Sequence, residues 1–198
     1  MERRKPFMQN VSLGGPYTIF DIKVMLCYLL KTVNKPISAE TLWTIMASEE
    51  LVNYFEYESA MGELLKAGHV EAFTDESGEE FYKISPKCIP IVSDLESNLA
   101  ISLRSRVVTA AMKIMYYKQN EEQNNVKVIP CEEGGYILSI DVPGTPRSLC
   151  KMELYFPEKL QAERARERFI DNPTLVYSVT LASLTGDTSH LMAVLRDI

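Results

Sequence analysis

Apolar residues recur at helical spacing through the first part of the chain. In YTIFDIKVMLCYLLKTV, residues 17–33, they return every three or four positions, which is the period of one buried helix face. Thr18 is a suitable N-cap, and Asp21 stands three residues later. The pattern predicts a first helix that ends before the sequence NKP.

Two shorter helices are expected after this break. Ser38 opens SAETLWTIMAS, where Glu40 lies in a first turn that favours a carboxylate. EELVNYF is interpreted as a turn that leads into a third helix over 57–67. Gly68 is placed to end that helix in the left-handed conformation. The predicted buried face consists of Tyr57, Met61, Leu64 and Leu65.

The next segments alternate as strands do. HVEAF and FYKI flank the polar turn TDESGEE, which contains Gly78, and this arrangement predicts a hairpin. Three helices followed by a hairpin is the order of a winged helix-turn-helix. In that fold the third helix is presented to the major groove and the hairpin is the wing.

Particular sequence stretches resemble a known family. LLKAGHV, residues 64–70, matches the L-x-x-x-G-x-V ending that many winged-helix regulators show. With LLKTVNKPISAETLWTIM and FYKISPKC, it resembles an uncharacterised bacterial winged-helix family classed as a domain of unknown function (DUF4364). The resemblance covers about the first half of the chain. It implies the fold, and transcriptional regulation only by analogy.

A long helix is expected after the hairpin. First, Ser85 and Pro86 open a helix in SPKCIPIVSDLES, which is interrupted or kinked at Pro90. The pattern over 98–119 then predicts a linking helix whose apolar stripe either packs across its own domain or pairs with a second chain. We favour the dimer, because a small winged helix has little surface to cover such a stripe. The candidate dimerisation residues are Leu99, Leu103, Val107, Ala110, Ile114 and Tyr117.

The remainder reads as a small α+β domain. The polar run NEEQNN, residues 120–125, is taken as a domain boundary. VKVIP, GYILSIDV and SLCKMELYF predict a three-stranded antiparallel sheet, followed by the amphipathic helix PEKLQAERARERFI. NPTLVYSVTLASL alternates as a strand does, but Asn172 and Pro173 favour a helix. The fold class is therefore α+β, with segments 1–95 (winged helix), 96–120 (linking helix) and 121–198 (antiparallel sheet with helices).

Composition narrows the function classes. With 46% apolar and 24% charged residues, the chain can bury a normal core. No apolar signal region follows the basic start, and the four separated cysteines are expected to be reduced thiols in a cytoplasmic protein without a membrane span. His69 and His190 lack metal or triad spacing, and no phosphate loop is present. We therefore expect no enzyme activity, no cofactor and no metal site.

The charge is unevenly placed. Residues 1–95 carry nine Lys and Arg against fourteen Asp and Glu, which is a net charge of -5. This part of the chain therefore holds most of the formal net charge of -6. Because Lys and Arg neutralise phosphates, the local acidity disfavours DNA binding. Gly62 indicates either a close approach or a tolerant position. The candidate nucleic-acid contacts are a basic arm, the exposed side of the third helix and lysines near the wing, namely Arg3, Arg4, Lys5, Glu58, Ser59, Gly62, Lys66, Lys83 and Lys87.

Two hypotheses follow from these observations. In the first, the chain is a dimeric winged-helix regulator that binds DNA, and its C-terminal part dimerises or senses a ligand. In the second, the winged helix does not bind DNA, and its acidic third helix docks on a basic protein partner. The family resemblance favours the first hypothesis, and the local charge favours the second.

Overall fold

Two clusters of buried apolar side chains organise the chain, one on each side of residue 115. The structure, a computed structural model, describes residue 16, residues 18–48 and residues 50–188. It is an α+β fold, as predicted. The elements are α1 (Ile19–Val33), β1 (Ile37–Ser38), α2 (Ala39–Ser48), α3 (Tyr54–Lys66), β2 (Val70–Thr74), β3 (Glu80–Ile84), α4 (Cys88–Leu95), α5 (Ile101–Gln123), β4 (Asn125–Pro130), β5 (Tyr136–Val142), β6 (Cys150–Phe156), α6 (Lys159–Asp171) and α7 (Pro173–Thr185).

The first compact unit, unit 1, covers Met1–Met115. Its helix α1 begins as predicted, because the backbone N–H of Asp21 donates to the Thr18 hydroxyl at 3.1 Å. The helix then contributes more buried residues to the core than any other helix of the unit, and its side chains from Ile22 to Leu30 are largely buried. The predicted first helix is thus confirmed, with its stripe at the centre of the unit.

A three-stranded sheet closes unit 1. Strands β2 and β3 form the predicted hairpin, with Val70 opposite Ile84. The two-residue strand β1 pairs with the other edge of β3, so that Ile37 lies opposite Tyr82 and the strand order is β1-β3-β2. Sequence patterning missed β1, because two residues are too few to show alternation.

Helix α4 departs from the sequence expectation. It begins at Cys88 rather than at Pro86, and Ser85 accepts the Cys88 N–H through its backbone carbonyl at 2.9 Å. Pro90 therefore stands in the first turn, where the backbone N–H that it lacks has no partner within the helix. The expected kink at Pro90 is unnecessary for this reason.

The stripe of α5 is covered by the chain itself. In unit 1, four stripe residues are at most 6% exposed and belong to its core, and Ile114 packs against that core. The guanidinium of Arg104 lies 6.0 Å from the ring of Tyr28, so this side of α5 faces α1. In the second unit, Tyr117 packs against a separate core. The stripe thus packs within the chain, as in the alternative interpretation. The four buried residues are Leu99, which precedes α5 because the helix begins at Ile101 rather than at residue 98 as predicted, and Leu103, Val107 and Ala110 within the helix.

The second compact unit, unit 2, covers Tyr116–Ile198, and the division falls inside α5. The run NEEQNN, predicted as a domain boundary, begins within α5, because the helix continues to Gln123. Its Asn120 is buried and donates its side-chain N–H to the Ile170 carbonyl at 2.8 Å, while Glu121 pairs with Arg166. Polar residues in this run therefore fasten α5 to α6 within unit 2.

Unit 2 contains the predicted antiparallel sheet, in the order β4-β5-β6. One face of the sheet places Leu138 and Ile140 against Phe169 and Ile170 of α6. The ambiguous segment is helix α7, as favoured from its cap, because the side-chain oxygen of Asn172 accepts the Leu175 N–H at 2.9 Å.

None of the helices in the described part of the chain has the length and apolar character needed to cross a bilayer.

Candidate nucleic-acid interface

Helix α3 is the centre of the candidate surface. The side-chain oxygen of Asn53 accepts the Glu56 N–H at 3.0 Å, so α3 begins at Tyr54 and not at residue 57 as predicted. At its other end, the His69 N–H donates to the Leu64 carbonyl at 2.9 Å, and Gly68 has a φ of 64°. This confirms the predicted left-handed termination.

The exposed side of α3 carries the residues expected from the sequence. Tyr57, Ala60, Met61 and Leu64 are buried, which leaves the opposite side to solvent. At Gly62 an added Cβ would have no atom within 4 Å, so packing within the chain does not require a glycine there. The exposed residues include Glu58, Ser59, Gly62, Glu63 and Lys66.

Most described cations near this surface already have partners. The Lys23 ammonium lies 2.8 Å from a Glu63 carboxylate oxygen. The Lys83 ammonium lies 3.1 Å from a carboxylate oxygen of Glu71, the residue opposite it in the hairpin. These ion pairs partly neutralise the positive charge that would attract a phosphate.

Lys66 and Lys87 lie near the end of α3. The Lys87 ammonium donates to the Ala67 carbonyl at 3.3 Å, beyond the last turn of α3. Lys66 forms no ion pair with any residue that the structure describes. Arg3, Arg4 and Lys5 fall outside the described residues, so the predicted basic arm stays a prediction.

The tip of the hairpin is an ordered anionic turn. The Asp75 carboxylate accepts the N–H groups of Ser77 and Glu79, each at 2.9 Å, and the Ser77 hydroxyl at 2.7 Å. These hydrogen bonds, the Ser77 hydroxyl first, hold the pKa of Asp75 below its ordinary value. The carboxylate is therefore ionised at neutral pH and fixes the turn. The other exposed acidic residues at the tip are Glu76, Glu79 and Glu80.

Two exposed aromatic residues lie at the start of α3. Phe55 is 84% exposed and Tyr54 is 52% exposed. The Tyr54 ring packs edge-on against Trp43, with 5.1 Å between the ring centroids. Sequence reasoning assigned these aromatics to a turn, although Asn53 with Glu56 three residues later is the signal of a helix start.

A largely apolar cleft of about 430 Å³ lies between α1, α3 and α4. The thiols of Cys27 and Cys88 line it, and burial raises the pKa of both thiols. Both thiols are therefore protonated at neutral pH and are poor nucleophiles. Among the residues described, no three His, Cys, Asp or Glu side chains are grouped to hold a metal ion. The two thiols therefore contribute packing surface to the cleft.

Comparisons with known proteins bear on the family but not on the activity. Residues 22–184 match the model of a family described as a domain of unknown function (DUF4364). No curated protein and no solved structure matches the chain. The family match confirms the resemblance seen in the first half of the sequence and extends it into α7.

Proposed function

The chain belongs to the family described as a domain of unknown function (DUF4364), and because that description names no activity, we propose one from the geometry of unit 1. Unit 1 is a winged helix-turn-helix that serves as a protein-interaction module. The order α1-β1-α2-α3-β2-β3, with its β1-β3-β2 sheet, supports the fold. The exposed aromatic and acidic side of α3 carries the function.

Charge supports a protein partner over DNA. A carboxylate about 4 Å from a phosphate oxygen costs roughly 1 kcal/mol in water and about four times more at a protein surface. Glu58 and the acidic hairpin tip are exposed, while Lys23 and Lys83 are paired with carboxylates. DNA would meet this repulsion with few cations free to offset it.

The exposed aromatics are the single observation that carries the proposal. Phe55 is 84% exposed, and fully burying a phenylalanine side chain contributes about 1.5–3 kcal/mol. Tyr54 adds an amphipathic ring, a type of group enriched where interfaces hold most of their binding energy. Because the exposed Glu58 lies one helical turn beyond both rings on α3, these rings fit a partner segment that combines Lys or Arg with an apolar anchor.

The test uses a peptide array that varies Lys and Arg around a central apolar residue. We expect the full chain to bind basic members, and Phe55→Ala and Glu58→Lys to weaken that binding by about tenfold or more. Leu184→Ala is the matched control, since Leu184 is 81% exposed in unit 2. Binding that Phe55→Ala leaves unchanged contradicts the proposal.

A DNA-binding transcriptional regulator is the second candidate. It is favoured by the same element order and by Lys66 and Lys87 at the end of α3. Titration with mixed-sequence duplex DNA at low and high salt separates the two candidates. Binding that weakens steeply with salt, protects the amides of 54–66 and is lost in Lys66→Glu supports the regulator. The absence of binding at low salt supports the interaction module.

A further inference from the structure

Strand β6 is an edge strand of the sheet of unit 2, and it exposes both apolar and charged side chains. The strand order is β4-β5-β6, and among the residues described no strand pairs with the outer side of β6. The strand has seven residues and contains no proline. Leu149, Leu154 and Tyr155, in or next to it, are 57%, 45% and 64% exposed. The unpaired backbone N–H and C=O groups of such an edge are a template for pairing with another strand.

We propose that β6 pairs antiparallel with β6 of a second copy of the chain, about a two-fold axis at Met152, to form a continuous six-stranded sheet. The contact is isologous, so each residue pairing occurs twice. This inference concerns unit 2 alone and does not depend on what α3 binds.

The charges of β6 select this register. With Met152 opposite Met152 of the second copy, Lys151 lies opposite Glu153, and opposite charges directly across a strand pair are stabilising. A shift that centres the axis on Glu153 opposes two glutamates. A shift that centres it on Lys151 opposes two lysines. Only the register centred on Met152 pairs both charges favourably.

The same register extends the rows of the existing sheet. Within one copy, Asp141 lies opposite Lys151, and their charged atoms are 2.9 Å apart. The Lys151 side chain is 70% exposed, so it can also reach Glu153 of the second copy. Asp141, Lys151 and Glu153 then form a row of alternating charge across the new boundary.

Apolar rows continue in the same way. On the face opposite α6, Ile129, Ile137 and Tyr155 lie side by side on β4, β5 and β6. The proposed register adds Leu149 of the second copy beside Tyr155, so the two most exposed apolar side chains of this edge cover each other. On the face that packs against α6, Leu154 meets Cys150 of the second copy. One alignment thereby covers the exposed apolar groups on both faces.

The test is sedimentation equilibrium of the full chain and its charge variants across a dilution series. We expect the natural chain to form a dimer. Residue 151 of each copy faces residue 153 of the other, so Glu153→Lys and Lys151→Glu each create two pairs of facing like charges. Each variant is expected to weaken self-association by about tenfold or more. In an equimolar mixture, a dimer of one copy of each variant has opposite charges facing each other in both pairs. The mixture is therefore expected to restore the dimer. This rescue requires both residues to face each other across chains.

Two controls bear on other surfaces. Lys127→Glu makes the same charge change on the same face at the opposite edge of the sheet, opposite Ser139, and is expected to leave the dimer intact. A chain that ends at Thr188 is also expected to dimerise, which separates the edge from the terminal segment. Thermal unfolding identifies any variant that has lost its fold. A monomeric natural chain, a Glu153→Lys dimer as tight as the natural one, or a mixture that stays monomeric would overturn the proposal.

Discussion

Replacing Asn53 by alanine removes the side-chain acceptor at the start of α3. The Asn53 oxygen lies 3.0 Å from the Glu56 nitrogen, and no other side chain in the described ranges caps this end of the helix. Loss of an N-cap costs about 1 kcal/mol, within a range of about 0.5–2 kcal/mol. Because Asn53 is half-buried, water replaces the lost acceptor only in part, so we expect a value near the middle of that range.

The single tryptophan makes this effect measurable in unit 1. Trp43 packs against Tyr54 and Tyr57, with ring centroids 5.1 and 5.2 Å away, so its fluorescence reports on the start of α3. In urea, a loss of about 1 kcal/mol lowers the unfolding midpoint by about 0.5 M when the slope is about 2 kcal/mol per molar. Asn53→Asp keeps the acceptor and is expected to stay near the natural midpoint.

Thr18→Ala is the matched control, since Thr18 caps α1 of the same unit in the same manner. Both alanine variants are expected to lower the midpoint by similar amounts. Only Asn53→Ala is expected to loosen the first turn of α3 and thereby weaken binding through Phe55. An Asn53→Ala midpoint equal to that of the natural chain would refute the assignment of this cap.

Three further predictions concern the tyrosine hydroxyls of unit 1 and the cysteines of both units. The Tyr57 hydroxyl is buried without a hydrogen-bond partner among the described residues, so Tyr57→Phe is expected to keep or raise the free energy of unfolding. Tyr82→Phe, in contrast, loses the hydrogen bond to Glu80 (2.8 Å) and is expected to lower the free energy of unfolding by about 1 kcal/mol. A large loss of stability in Tyr57→Phe contradicts this expectation. Burial raises the pKa of Cys27 and Tyr57. The stability that these neutral groups contribute is complete below the ordinary thiol pKa and falls as pH rises above it, because the two groups then ionise only in the unfolded chain. Equal urea midpoints at pH 8 and pH 10 would contradict this. In thiol labelling followed by mass spectrometry, the half-buried Cys131 and Cys150 are expected to react before Cys27 and Cys88.

Local patterns predicted the fold where one stretch of sequence held all the information. The cap and proline at Asn172 and Pro173 identified α7 correctly against a competing alternation. The ending at Gly68 likewise placed the end of α3. In both cases the deciding hydrogen bonds join residues only a few positions apart, so the sequence alone contains the signal.

Long-range packing decided the elements that the sequence missed. Strand β1 exists because Ile37 and Ser38 lie beside β3, some 43 residues later in the chain. The apolar stripe over residues 99–117 was assigned to a second chain, yet four of its residues complete the core of unit 1. Periodicity shows that a helix face is buried, but it does not show which surface covers it. The dimer that we propose therefore uses a different surface, the edge of β6.

In unit 1 the fold favours DNA binding and the acidic charge disfavours it, and Glu63 shows both effects. As an exposed residue of a recognition helix it would repel phosphate, but its carboxylate binds Lys23 and so joins α3 to α1. Glu63 therefore has a structural use, whereas Glu58 has no comparable ion pair with a described residue. A surface evolved for phosphate would leave Lys23 open to the ligand. The chain instead pairs that lysine with a carboxylate on α3 and exposes Phe55, an arrangement that agrees with the apolar, basic protein segment that we propose as the partner.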